Sequence, residues 1–277
     1  MSRAGTRTPA PNTARGYAAD LRDFTEWCAE HRCPSYPASP DDVARFLRDR
    51  ADQLAPATVA RRLAAIVADH RRRGLPSPRD AAEVKAALAS VEWRHRGRRR
   101  PTRPLDAESL ARASLCLPDT VAGARDRAMV LMGYGAALRR TELVALDVSD
   151  VVILDDGRLQ LRLTRGVVAI PPGSRPHLCA VRAWRAWSCA AALVGGPAFR
   201  PVDRHGHVGS TRLSDRAVTI VVRRAVAGAG LDANAYSGRS LRLGMIRAAA
   251  AVGASDEHIM LQTGHRSRRL VRSYRQR

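Results

Sequence analysis

Gly135-Ala-Ala-Leu-Arg139-Arg140-Thr-Glu142-Leu143 is the stretch on which the reading of this chain turns. It follows an apolar run and carries two adjacent arginines into a segment of helical spacing, with a glutamate one turn beyond the first. Two later segments share its character. In Ser237-Gly-Arg239-Ser-Leu-Arg242 two arginines stand three apart, and Gln262-Thr-Gly264-His265 is followed nine residues on by Tyr274. Each segment alone has an ordinary explanation. A helix-face arginine is commonly a surface ion-pair partner, Glu142 can pair with Arg139 at that spacing, a histidine after glycine is often a turn residue, and a tyrosine is often half-buried in a helix.

Outward from this stretch, apolar periodicity predicts helices over Asp106–Leu115, Ala124–Tyr134 and Arg140–Leu146. Short β-rich runs follow at Val148–Ile153, Leu159–Leu163 and Val167–Ile170. Turns at Asp155-Asp156-Gly157 and Thr164-Arg165-Gly166 make them a three-stranded antiparallel meander. Helices resume over Pro176–Leu193, Ser214–Ala227, Leu241–Val252, Asp256–Leu261 and Arg268–Tyr274. Upstream, Tyr17, Leu21, Phe24 and Cys28 form one helical stripe with Asn12 or Thr13 as cap. Ser39-Pro40 opens a second helix with Val43, Phe46 and Leu47 inward, and Pro56–Arg73 and Arg79–Val91 complete a set of four. The expected fold is mainly α with a small antiparallel β-sheet. Its parts are a flexible N-terminus over 1–12, a four-helix domain over 13–92, an Arg-rich linker over 93–104 (WRHRGRRRPTRP) and a larger mixed α/β domain over 105–277.

Lys plus Arg is 47 against 26 Asp plus Glu, a net charge of +21 and a pI near 11.4. The excess is not a tail: 21 basic face 12 acidic residues from Met1 to Pro104, and 26 face 14 from Leu105 to Arg277. A body basic throughout suits an extended polyphosphate. Arg61 and Arg62 on the third predicted helix, and Arg98, Arg99 and Arg100 in the linker, are the expected phosphate contacts. Lys85 is the only lysine, and codon usage explains much of the arginine, given the matching abundance of alanine. The five cysteines lack a C-x-x-C pair, and His205-x-His207 lacks a third ligand nearby, so neither a zinc site nor any other metal is expected. Nucleotide hydrolysis has no glycine-rich phosphate loop to support it. With no signal peptide and no run of about 18 apolar residues, the expectation is a reduced, cytoplasmic protein that meets no membrane.

In order and spacing the three segments resemble the tyrosine recombinases, also called phage integrases. The resemblance spans nearly the whole chain, because the first four helices, with Asn12-Thr13 to Trp27-Cys28 and Pro56-Ala-Thr58-Val-Ala-Arg-Arg-Leu63, are similar to that family's core-binding domain. Residues 105–277 then correspond to its catalytic domain. The resemblance implies site-specific cleavage and rejoining of double-stranded DNA through a 3′-phosphotyrosyl intermediate, with no cofactor, metal or ATP. It also implies self-association on DNA, as in the tetrameric synapse of active relatives. By motif, Arg139 and Arg242 match the two catalytic arginines, Glu142 a supporting acid, His265 the late His or Trp, and Tyr274 the nucleophile. Two guanidinium forks suit the charge that spreads over a phosphodiester under attack, and a tyrosine hydroxyl can attack in line and hold the strand as an ester.

Three departures accompany the match. Arg239 enters the catalytic set where the family's H-x-x-R motif has histidine, and a guanidinium cannot serve as a neutral base. The family's hairpin lysine is missing, leaving Arg165 at the tip as a supporting cation and a reluctant proton donor. Only Arg275, Gln276 and Arg277 follow Tyr274, where many relatives continue into a helix that docks on a neighbouring subunit. The expectation is a slow enzyme; the alternative is a DNA-binding pseudo-recombinase with weak or no catalysis. A nonspecific nucleic-acid binder and a topoisomerase-like strand relaxer are the wider competitors.

Overall fold

The computed structural model describes residues 11–95, 102–265 and 267–275. It divides into two units, Met1–Arg100 and Pro101–Arg277, each with its own core.

The N-terminal unit holds α1 (Pro11–Glu30), α2 (Pro40–Ala51), α3 (Pro56–Arg72) and α4 (Ala82–Arg94). Ser39 caps α2, its hydroxyl accepting from the Asp42 amide at 3.1 Å, with Pro40 at the first position and Asp41 and Asp42 in the first turn. The core is aromatic at its centre. The Phe46 ring meets Phe24 edge-on at 5.0 Å and Trp27 at 5.6 Å, and Val43, Leu47, Val59, Leu63 and Ile66 close around them.

Three boundaries differ from expectation here. Asn12 and Thr13 lie inside α1, which is already helical at Pro11. Residues Pro78–Asp80 form a 3-10 turn capped by Ser77, so α4 starts at Ala82. Trp93 and Arg94, assigned above to the linker, belong to α4, whose end is fastened by Arg94 to Asp52 at 3.0 Å and by the His95 ring to the Ala51 carbonyl at 2.8 Å. Arg98, Arg99 and Arg100 lie outside the described residues.

The C-terminal unit is mostly helical: α5 (Ala107–Leu115), α6 (Val121–Gly135), α7 (Arg140–Ala145), α8 (Ala180–Ala190), α9 (Asp215–Gly228), α10 (Gly238–Ala251), α11 (Asp256–Thr263) and α12 (Arg268–Arg275). Residue Arg103, near its start, donates its amide to the Ala235 carbonyl at 2.8 Å. Helix α6 is the buried axis of the unit, packing on α8 and α10, with Ala128, Met129, Val130, Leu131 and Met132 all buried. Such an all-round apolar stretch is what a central helix requires.

Strands β1 (Val151–Ile153), β2 (Leu159–Leu163) and β3 (Gly166–Ile170) form an antiparallel meander in the order β1-β2-β3. Leu163 pairs with Gly166, leaving Thr164 and Arg165 as a two-residue tip. Val148–Asp150, expected as strand, is a 3-10 turn because the Asp150 carboxylate takes the Asp147 amide at 3.0 Å. Helix α10 begins at Gly238, three residues earlier than the apolar pattern suggests. Ser237 and Ser240 cap it reciprocally, the Ser240 hydroxyl accepting from the Ser237 amide at 3.0 Å. That cap puts Arg239 and Arg242 on successive turns of one helix face.

Candidate active site

Four segments of the C-terminal unit converge around Tyr274: the turn from α6 into α7, the β2–β3 tip, the first turns of α10, and the end of α11. Arg139 is the N-cap residue of α7, and its backbone amide donates to Glu142 Oε2 at 2.8 Å. The same carboxylate, through Oε1, receives the Arg139 guanidinium and Arg165 Nε, the latter at 3.1 Å. Glu142 thus caps its helix and anchors two cations.

Arg242 sits deepest, 7 % exposed. Its Nη1 donates to the Ala137 carbonyl and its Nη2 to the Thr263 carbonyl, each at 2.7 Å, and Nη2 also lies 2.9 Å from His265 Nε2. Burial and the cations Arg139 and Arg165 bring the Arg242 pKa down to about 10, against the pull of Glu142 and Tyr274, so it is charged at neutral pH. Burial, followed by Arg242, Arg139 and Arg165, brings His265 down to about 4 with only Glu142 opposing, and its ring is neutral. Arg239, exposed one turn before Arg242, donates from Nη2 to the Tyr274 hydroxyl at 2.9 Å and lies 5.4 Å from the tyrosine ring centroid. The His265 and Tyr274 rings are 5.6 Å apart.

All seven C-terminal candidates, Arg139, Glu142, Arg165, Arg239, Arg242, His265 and Tyr274, therefore belong to one cluster. Arg165, at the hairpin tip, turns its side chain inward and is only 15 % exposed. Two features draw it in: the Glu142 carboxylate, and Gly264, where a Cβ would stand 2.5 Å from Arg165 Cδ. Gly264 is also the left-handed C-cap of α11, with φ +67°.

Arg61 and Arg62, the expected phosphate contacts on α3, both pair with carboxylates of α1. Arg61 pairs with the buried Asp20 at 3.1 Å. Arg62, 15 % exposed, pairs with Asp20 and Asp23 and lies over the Phe46 ring. Their partners sit on α1, some 40 positions back in the chain, where helical periodicity on α3 cannot reveal them. Burial raises the Asp20 pKa despite both arginines. Arg22, Arg71 and Arg79 are exposed along a groove of about 1230 Å³ between α1 and α3, lined also by Tyr17, Leu21 and Tyr36 among others.

Gln262 and Thr263 stand in the third motif, where sequence reading gives them no role of their own. Gln262 Nε2 donates to the Gly135 carbonyl at 3.1 Å, tying the end of α11 to the end of α6. Thr263 lies 2.6 Å from the His265 ring. His207 pairs with Asp203 at 3.0 Å, and among the described residues no group of three metal-ligating side chains occurs. Among the same residues no helix is long and apolar enough to cross a membrane.

Known proteins share this architecture. Residues 4–71 match the phage integrase N-terminal SAM-like domain, and residues 105–277 match the phage integrase family. The chain is 33 % identical over 280 residues to an integrase/recombinase xerD homolog of Selenomonas ruminantium, covering 97 % of this chain and 82 % of that protein. It is 25 % identical over 284 residues to recombinase cre of Escherichia phage P1, covering 91 % and 80 %. Among solved structures, a lambda integrase dimer bound to a COC′ core site superposes with a TM-score of 0.65 at 19 % identity, over 98 % of this chain and 90 % of that one. The chain belongs to the phage integrase family, the tyrosine recombinases.

Proposed function

We propose that this protein cleaves and rejoins double-stranded DNA at specific sites, with Tyr274 as nucleophile and a 3′-phosphotyrosyl ester as intermediate. One observation carries the reading: Arg139, Arg165, Arg239 and Arg242 gather around Tyr274, and among the described residues Glu142 is the single carboxylate paired with any of them. A cluster with that excess of positive charge is completed by an anion. A phosphodiester brings one, and its charge grows as the attack proceeds. Arg242 is prepared for that task, since two backbone carbonyls fix its fork before substrate arrives. The ester conserves the energy of the broken bond, so rejoining needs only the reverse attack by a 5′-hydroxyl.

Phosphate binding outside the site falls in this reading to the Arg22, Arg71 and Arg79 groove and to Arg98, Arg99 and Arg100, in place of Arg61 and Arg62. Self-association on DNA, as a synapse of protomers, is part of the same proposal. The second reading, a pseudo-recombinase that occupies a site without turnover, is favoured by Arg239 in the position of a base and by a β2–β3 tip without lysine. A nicked suicide DNA substrate run on a denaturing gel decides between them. The recombinase leaves a covalent protein–DNA band, and a pseudo-recombinase shifts the DNA on a native gel yet leaves none.

A further inference from the structure

Thr263 is fully buried, two residues before His265. Its hydroxyl oxygen lies 2.6 Å from the Ile259 carbonyl oxygen and 2.6 Å from His265 Nδ1. A hydroxyl has one proton and a carbonyl only accepts, so that proton belongs on the Ile259 side, and the hydrogen between Thr263 and His265 must come from Nδ1. The other side of the ring gives the same answer. Arg242 Nη2 lies 2.9 Å from Nε2 and 3.3 Å from Nδ1, and a guanidinium only donates. It needs a lone pair, and in a neutral ring whose Nδ1 is protonated that lone pair is on Nε2.

We propose that Thr263 fixes His265 as the Nδ1–H tautomer and so presents Nε2 as the base that takes the Tyr274 proton, a task Arg239 cannot perform. The base assignment rests on the recombinase reading; the tautomer assignment does not. Arg239 donates to the Tyr274 oxygen, which holds the phenol in place and leaves its own proton free to go elsewhere. A scissile phosphate draws the Arg242 donor off Nε2, and its negative charge offsets Arg242, Arg139 and Arg165, the cations that lower the basicity of His265. In the step itself the Tyr274 O–H bond breaks and its proton passes to Nε2. The oxygen forms its bond to phosphorus as the bond to the 5′-oxygen breaks, and that oxygen leaves with a proton from water. Thr263 is a positioning residue in this scheme, and His265 is the catalytic one.

The test compares full-length wild-type protein with Thr263→Val, which keeps the shape and loses the hydroxyl, and Thr263→Ser, which restores it. Long-range proton–nitrogen NMR of 15N-labelled protein at pH 7 reads the His265 tautomer, identified by the signals missing from His265→Gln. Wild type and Thr263→Ser are expected to show a protonated Nδ1 and a bare Nε2, and Thr263→Val a shift toward Nε2–H. On the suicide substrate at saturating DNA, Thr263→Val should form adduct about tenfold to a hundredfold more slowly, within the usual contribution of a positioned base, and Thr263→Ser should recover most of the rate. An Nε2–H ring in the wild type overturns the tautomer. A valine variant unchanged in both tautomer and rate overturns the role of Thr263, and one that changes tautomer without slowing overturns the base. If the wild type has the expected tautomer and forms no adduct, the recombinase reading fails and the base assignment with it, whereas the hold of Thr263 on His265 stands.

Discussion

Arg61 and Arg62 on α3 and Arg239 and Arg242 on α10 are the same residue type on the same kind of element, and the protein uses them in opposite ways. On α3 the pair faces Asp20 and Asp23, and Arg50 joins them on Asp23 at 3.1 Å, so three guanidiniums answer two carboxylates within a folded core. Around α10, four guanidiniums gather with one carboxylate among the described residues, Glu142, which pairs with Arg139 and Arg165 while Arg239 and Arg242 are held by the Tyr274 hydroxyl and by backbone carbonyls. The first group is a fastening between helices, and the second is a charge imbalance held in place by backbone carbonyls. What separates them is the number of carboxylates within reach, a property of three-dimensional packing that a count of 47 basic residues does not contain.

The comparison is broken most directly at Tyr274. Tyr274→Phe removes one oxygen and is expected to abolish the covalent adduct while leaving DNA affinity nearly unchanged, because Arg139, Arg165 and Arg242 remain on their present partners. Chelator should have no effect on the wild type. An adduct that persists in Tyr274→Phe, or disappears with EDTA, shows that the arginine cluster serves a different nucleophile or a metal.

The imbalance also predicts steep salt sensitivity. With some six phosphates neutralised, affinity should fall roughly a thousandfold between about 50 and 200 mM salt. Replacing Arg98, Arg99 and Arg100 together with alanine should weaken binding to all sequences alike and flatten that slope. A flat response in the wild type means that the positive charges are paired within the protein throughout, and the contrast between the two regions disappears.

Leaving-group chemistry gives a smaller effect. Arg165 is held inward by Glu142 and is a poor proton donor, so the departing 5′-oxygen lacks a strong acid. A substrate with sulfur at that bridging position needs no proton and should be cleaved about tenfold faster or more. Equal rates for the oxygen and sulfur substrates mean that protonation of the leaving group is not what limits this enzyme.

Much of this was legible from residue order. Stripes such as Phe24 and Cys28 or Val43, Phe46 and Leu47 mark helices whose inward faces are buried, and Asp155-Asp156-Gly157 marks the first hairpin. The three motifs name residues that meet in space although they stand more than a hundred positions apart. The rest depends on contacts with no local signature. Arg165 turns inward because Gly264, about a hundred residues later, leaves room for it. Thr263 looks like any helix residue until its hydroxyl is seen beside His265. The early start of α10 was within reach, since Ser237 and Ser240 stand at capping-box spacing, but the apolar pattern that sets helix limits begins only at Leu241.

The finest test sets Arg62 against Arg71, two arginines on the same helix. Arg62 is 15 % exposed, faces Asp20 and Asp23, and covers part of the Phe46 ring. Replacing it with alanine leaves Asp20, 3 % exposed, with Arg61 alone. Removing one partner of a fully buried pair costs about 3–5 kcal/mol; with Arg61 retained, a loss of about 2 kcal/mol is expected, and the melting transition of the N-terminal unit should drop by roughly 10 °C. The salt slope of DNA binding, measured well below that transition, should not change. Arg71 lies exposed in the last turn of α3 beside the groove. Its replacement removes a favourable helix-end charge worth about 0.5 kcal/mol and should barely move the melting curve, yet the salt slope should fall by about one phosphate. If Arg62→Ala lowers the slope and Arg71→Ala does not, then Arg62 leaves its carboxylates to meet DNA, and the division between fastening and phosphate-binding arginines is wrong for this unit.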